Sequence, residues 1–271
     1  MVTSNLLHQF HNHFVMRLKA TVLAPLMFAS LILTGAGCGA QTPASNPIST
    51  NPTVEKPSAT TSDACGNPYY PFKPGLAITY HTSSTAGGSG NSDYTIRTVD
   101  VVGTEATIRA EFADGATADM TADCSSGSVS LKGSSGLGAA VEGVTFKTTV
   151  ATSSGTYMPA DVKAGTVWNN SETIKMDMSG GPSASLGTIT LTTTEESRAI
   201  GEESIAIPAG TFKAMKVEIK RTSTSVAKFG KIPPSTEKTT EWWAKGIGMI
   251  KSVTVSPDGT TTVEATSVKG Q

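Results

Sequence analysis

Beyond residue 75 the hydrophobic positions of this chain recur with a period of two, and no stretch carries the 3.6-residue period of an amphipathic helix. Ala106, Ile108, Ala110 and Phe112 alternate with Thr107, Arg109 and Glu111, which gives a strand one buried face and one wet face. The same pattern predicts strands from about Leu76, in two runs across 94–112 parted by Gly103, over 116–122 and in a short piece at 128–131. Further strands are expected over 166–178, 186–198, 205–207, 211–221 and 249–255, with a last one ending near Val268. The breaks between them carry turn residues: Asp114-Gly115, Ser179-Gly180-Gly181-Pro182-Ser183, Pro208-Ala209-Gly210 and Pro257-Asp258-Gly259, each suited to a reversal of direction. Phe212 and Ala214 sit in one phase and Met215, Val217 and Ile219 in the other, so a β-bulge is expected near Ala214. Residues 226–237, holding Pro233-Pro234, are expected to form a loop, and 125–143, rich in small residues, a seam between domains.

These elements make an all-β fold of antiparallel sheets. Tyr69-Tyr70-Pro71 followed by Lys73-Pro74-Gly75-Leu76 is echoed by Tyr157-Met158-Pro159 followed by Lys163-Ala164-Gly165-Thr166. Such self-similarity suggests two related β-units forming a curved half-barrel or a sandwich, one over 65–143 and one over 144–271.

The first 64 residues follow other rules. Met16-Arg17-Leu18-Lys19 leads into an uncharged apolar run to Leu33, closed by Thr34-Gly35-Ala36-Gly37 and Cys38. A basic start, a short apolar core and small residues make a secretory signal, too short for a permanent span. The segment resembles a bacterial lipobox, which implies that residues 1–37 are removed and that Cys38 is acylated and becomes the new N-terminus. Gly35 stands where most lipoboxes carry leucine. His8, His11 and His13 fall in an upstream extension that cleavage discards. Residues 38–64 are rich in Pro, Ser, Thr and Asn and poor in large apolar groups, so they are expected to form a disordered tether. Its reach would be roughly 30 to 70 Å.

Composition narrows the function. Formal net charge is −1 and charged residues are 16% of the 271, with Lys and Arg scattered singly, so no nucleic-acid footprint is expected. There are 3 cysteines. With Cys38 acylated, Cys65 and Cys124 remain as an even pair in an oxidising compartment, and one disulfide is the default. Two free thiols or a metal site are the alternatives, and zinc is disfavoured because no histidine lies near.

Ile207-Pro208-Ala209-Gly210-Thr211-Phe212-Lys213-Ala214-Met215-Lys216-Val217 and Trp242-Trp243-Ala244-Lys245-Gly246-Ile247-Gly248-Met249-Ile250-Lys251 resemble a signature of bacterial envelope lipoproteins of unknown function. The opening, 65–80, is similar to the way that group begins. The resemblance implies a sheet-rich fold, a half-barrel like those of periplasmic lipoprotein carriers, and no established activity.

Catalytic candidates are few. His81 is the only histidine after the signal and no nucleophile motif accompanies it, so it reads as an exposed strand residue. Glu195-Glu196 and Glu202-Glu203 are neighbours along strands and point to opposite faces, which suits solvated edges better than a glycosidase pair. Met176 and Met178 alternate as a Cu(I) site would require, yet Ile174 shares their face and an apolar stripe is the simpler reading. No metal or cofactor is expected. Trp242-Trp243 is the most informative pair, since one must face inward and the other outward; Trp168, Trp242 and Trp243 are the candidate ligand-binding residues. The sequence thus points to a lipid-anchored, non-catalytic envelope protein that binds an apolar ligand or an envelope protein partner. The second reading is a structural or adhesive surface domain, and the third a hydrolase.

Overall fold

A computed structural model of the protein describes residues 65–85, 92–113, 115–135, 140–141, 144–179, 187–228, 230–257 and 259–270. The signal, Cys38, the tether and the three early histidines lie outside them, as does the side chain of Met178.

The described chain folds into thirteen strands: β1 (Ala77–Ser84), β2 (Ser92–Val102), β3 (Glu105–Phe112), β4 (Thr117–Ser125), β5 (Ser128–Ser135), β6 (Ala140–Val141), β7 (Val144–Gly155), β8 (Val167–Ser179), β9 (Thr188–Ile207), β10 (Gly210–Ala227), β11 (Gly230–Ala244), β12 (Gly248–Ser256) and β13 (Gly259–Lys269). All belong to one sheet, in the order β5-β4-β3-β2-β1-β13-β12-β11-β10-β9-β8-β7-β6, with antiparallel pairing throughout. The expected all-β antiparallel fold is therefore present as a single curled sheet. Because β1 pairs with both β2 and β13, the first and last strands sit mid-sheet and β5 and β7 are brought face to face. Strand β5 is tied to the segment just after β7 by an antiparallel bridge between Val129 and Met158, held by Val129 N–H to Met158 O (2.8 Å) and Tyr157 N–H to Val129 O (2.8 Å). The result is a barrel closed except for a seam between β5 and β7. The residue 143/144 boundary falls inside the β6–β7 hairpin.

One end of the barrel is stopped by the segments that precede β1 and β8. Asn67, fully buried, accepts from the Tyr69 and Tyr70 N–H groups (3.0 Å each) and donates to Gly127 O (2.7 Å) and Pro159 O (2.9 Å). Gly246 N–H donates to Pro68 O (2.7 Å). Tyr69, Phe72, Met158 and Val129 pack here with almost no exposure, each contributing on the order of 2 kcal/mol through burial. The β9–β10 hairpin curls over the same end, with Ala209 N–H bonded to Ala265 O (3.0 Å). A disulfide joins Cys65 to Cys124 in β4, with Cα atoms 5.3 Å apart.

The two Lys-x-Gly turns make matching bonds. Leu76 N–H reaches Lys73 O and Thr166 N–H reaches Lys163 O; Gly75 bonds Thr98 O as Gly165 bonds Ala199 O; Thr98 returns to Leu76 O as Ala199 returns to Thr166 O. The glycines have φ of +85° and +90°, a left-handed conformation that other residues adopt only with strain. A register shift follows each, past Val99 in β2 and past Ile200 in β9, and both displaced residues face out, 41% and 42% exposed.

Several local expectations are corrected. The described residues of 226–237 are not a loop: they complete β10 and open β11, with Ala227 paired to Gly230. Pro233-Pro234 are tolerated because a register shift between Ser223 and Ser225 leaves them outside the ladder to β10, and β11 pairs with β12 only from Lys238 onward. No N–H is needed at either proline. The bulge expected near Ala214 lies instead on the neighbouring strand at Ile200, while β10 pairs with β11 without interruption from Ala214 to Ser223. Strand β7, all of it between the expected seam and Tyr157, was not anticipated: Val144, Phe146 and Val150 share one phase, but Thr148 interrupts the apolar alternation and Thr152-Ser153-Ser154 end the strand in small polar residues.

Candidate functional site

Inward positions near the closed end are apolar, but toward the middle of β8 to β11 they turn polar. Asn170, Glu195, Arg221 and Glu237 are direct cross-strand neighbours on four successive strands. Arg221 is 3% exposed. Its Nε donates to Glu195 Oε1 (2.5 Å), and Asn170 Nδ2 donates to Glu195 Oε2 (3.1 Å), so both oxygens of Glu195 are engaged and the guanidinium is fixed on one side. Its Nη1 stands 3.9 Å from Glu237 Oε2, beyond hydrogen-bond range. Neither Nη1 nor Nη2 has a hydrogen-bond partner among the described residues.

Two further carboxyls face the same interior. Burial pushes Glu172 up to about 7, helped by the neighbouring Glu195. Burial does the same for Glu241, up to about 7, again with Glu195 adding, while Arg221 and the Trp243 Nε1 bond (3.0 Å) pull the other way. Around Glu241 lie Tyr70, Tyr157 and Trp243, with ring centroids 5.5 to 5.9 Å apart. Burial holds the Tyr70 and Tyr157 phenols well above their ordinary value, so they stay neutral.

A cleft opens onto this group at the seam. Leu131 of β5 and Ser153, Ser154 and Gly155 of β7 form its rim, with Glu172, Glu195 and Arg221 at its base. Its free space, measured as room for the centre of a water molecule, is about 20 Å³, close to what one or two waters need.

Of the expected site residues, Trp168 and Trp243 share one core and both touch Tyr157, while Trp242 stands apart. Trp168 and Trp243 are buried, 8% and 3% exposed, and Trp168 Nε1 donates to Tyr157 O (3.0 Å). Trp242 is on the outer wall, its Nε1 on Glu203 Oε1 (2.5 Å) and its ring between Lys216 and Lys251, each 5.7 Å away. His81 pairs with Asp93 (2.6 Å) on the outer face. Glu195 is corrected: it belongs to the interior, at 4% exposure, while Glu196 is exposed as expected. Glu202 and Glu203 lie outside, where Lys213, Lys245 and the Tyr69 hydroxyl bond Glu202 and hold it down to about 2. Ile174 is buried and Met176 partly so. No group of three or more metal-ligating side chains occurs among the described residues.

Sequence reasoning missed Arg221, Glu172, Glu237 and Glu241. The parity was available: Arg221 continues the phase of Met215, Val217 and Ile219, and Glu237 and Glu241 share that of Trp243. Polarity alone argued for the wet face, and four polar neighbours inside the barrel overrode it.

A family description, DUF3108-like, matches residues 80–262, more than half of the chain. The chain belongs to the DUF3108-like family. Two crystal structures share the fold of this DUF3108-like protein. One is of a candidate exported protein with a YmcC-like fold from Bacteroides fragilis NCTC 9343, with TM-score 0.52 and 17% identity, covering 75% of this chain and 100% of that one. The other is of a candidate lipoprotein from Parabacteroides distasonis ATCC 8503, with TM-score 0.52 and 13% identity, covering 75% of this chain and 99% of that one. No curated protein matches the sequence.

Proposed function

We propose that this DUF3108-like protein is an exported, lipid-anchored cell-envelope protein without catalytic activity, and that its barrel acts through its outer wall on another envelope component. The observation that carries this reading is the filled interior. Tyr69, Tyr80, Phe72, Met158, Ile250, Val129 and Val217 are each less than 2% exposed, and the cleft at the seam is about 20 Å³ and polar at its base. An acyl chain needs a long apolar cavity, so the interior offers a poor home for the apolar ligand suggested by the resemblance to lipoprotein carriers. Such a ligand would have to lie on the surface.

The outer wall suits water rather than hydrocarbon. Outward positions of β10 and β11 carry Lys216, Glu218, Lys220, Lys238 and Trp242, a set that a lipid-facing barrel would not tolerate at mid-depth. Acylation at Cys38 would therefore be the attachment, and two or three chains would hold the protein essentially permanently. The test is metabolic labelling with a palmitate analogue in the wild type and in Cys38→Ala. Label in the wild type and a soluble, unlabelled variant are expected; no label in either would overturn the anchored reading. Native mass spectrometry of the purified protein should find the polypeptide without a non-covalently bound lipid, and a stoichiometric one would restore the apolar-ligand reading.

A further inference from the structure

We propose that the cleft between β5 and β7 binds a neutral, hydroxyl-bearing ligand, one edge of a sugar, with Arg221 as donor and Glu172 as acceptor. This goes beyond the anchored, surface-acting reading and stands or falls separately from it.

The argument starts from the two terminal nitrogens of Arg221. They are buried, without hydrogen-bond partners among the described residues, and belong to a residue that lines the cleft. A buried guanidinium left with unmet donors is costly, and proteins rarely leave one so unless water or a ligand completes it. The Glu195 and Asn170 bonds lock the guanidinium plane from behind, so the donors are presented in a fixed direction, as a recognition group requires.

Charge selects the ligand class. A cation entering the cleft has no acceptor to offer the unmet Arg221 donors. An anion would meet Arg221 already neutralised by Glu195, with Glu172 on the cleft wall and Glu237 only 3.9 Å from Nη1. A neutral hydroxyl avoids both penalties, because its oxygen accepts from Arg221 and its proton goes to the Glu172 carboxylate. Glu172, with a carboxyl at about 7, can also donate when protonated, so it serves either partner of a hydroxyl pair. Ser153 at the rim is exposed and paired directly across from Glu172, so its hydroxyl extends the lining outward. The small free volume admits only the leading hydroxyls, so the rest of the ring would lie across the rim of the seam.

Saturation-transfer NMR on the full-length mature protein in zwitterionic detergent tests this, with glucose, mannose and N-acetylglucosamine as neutral probes and acetate and methylammonium as charged ones. Transfer to at least one sugar is expected at millimolar concentration. Glu172→Gln should weaken it about tenfold, the loss of one charge-assisted hydrogen bond. Because that variant touches a partly buried group, Ser153→Trp at the exposed rim provides the second arm: it should abolish transfer while the circular dichroism spectrum is unchanged. No transfer to any sugar, stronger binding of acetate or methylammonium than of the sugars, or sugar binding that survives Ser153→Trp would each overturn the proposal.

Discussion

Glu241 shows how the interior couples to pH. Its carboxyl lies among aromatic rings and is held near 7, against an ordinary value of 4.5. A folded-state value above the unfolded one means that the native state binds the proton more tightly, so the group's contribution is complete below pH 4.5 and is lost as pH rises through 7. A shift of that size corresponds to about 3 kcal/mol, and Glu172 adds in the same direction. Denaturant unfolding at pH 5, 6, 7 and 8 should therefore show stability falling across the series, and Glu241→Gln, which can still accept the Trp243 bond, should flatten the slope. A wild-type protein most stable at pH 8 would contradict this. Glu202 works the opposite way, since its lysine partners stabilise the ionised form and are lost as acid takes it toward pH 2. That Trp242 and Trp243 face opposite ways was legible from parity alone, whereas which of them faces inward, and the charge inside the barrel, were not. Alternation assigns a residue to a face, but which polar residues the interior tolerates depends on partners contributed by strands distant in sequence, such as Glu195 for Arg221.

Among the elements, the glycine turns are where the backbone permits least. Gly75 and Gly165 share a left-handed φ and equivalent bonds, and a Cβ at either meets nothing within 4 Å, so only conformational strain opposes a side chain. Gly75→Ala and Gly165→Ala should each cost about 1 to 2 kcal/mol, and thermal unfolding should show equal losses. Gly155 is harsher: a Cβ there would stand 2.4 Å from Asn169 O, so Gly155→Ala should exceed both by the same measurement, displacing β7 from β8. Strands bounded by Gly, Pro and Asp were readable from sequence because those residues act locally. The failures were non-local: the Pro233-Pro234 pair reads as a breaker until one sees that neither neighbouring strand asks for its missing N–H, and the Ile200 bulge is visible only in the pairing of β9 with β10.

For the whole molecule, the pairing of β1 with β13 and the bridge from Val129 to Met158 close the sheet at two places far apart in sequence. Neither could be read from the alternation, which predicts strands but not their neighbours. The disulfide was readable from cysteine arithmetic. Its sequence separation of 59 gives about 4 kcal/mol by the chain-entropy argument. Unfolding of oxidised and reduced protein, or of a Cys65→Ser/Cys124→Ser double variant, should differ by about 2 to 5 kcal/mol; an indistinguishable pair of curves would mean the cross-link constrains little.

Cys65 is also the place where the described barrel begins, so whatever tugs on residue 64 reaches sulfur before it reaches any strand. Force applied there divides between the backbone and the bond to Cys124, and the second path delivers it to β4, which is hydrogen-bonded to β3 on one side and β5 on the other. Residues 66–76, the stopper at the barrel's end, are thereby bridged by sulfur and carry only part of the load.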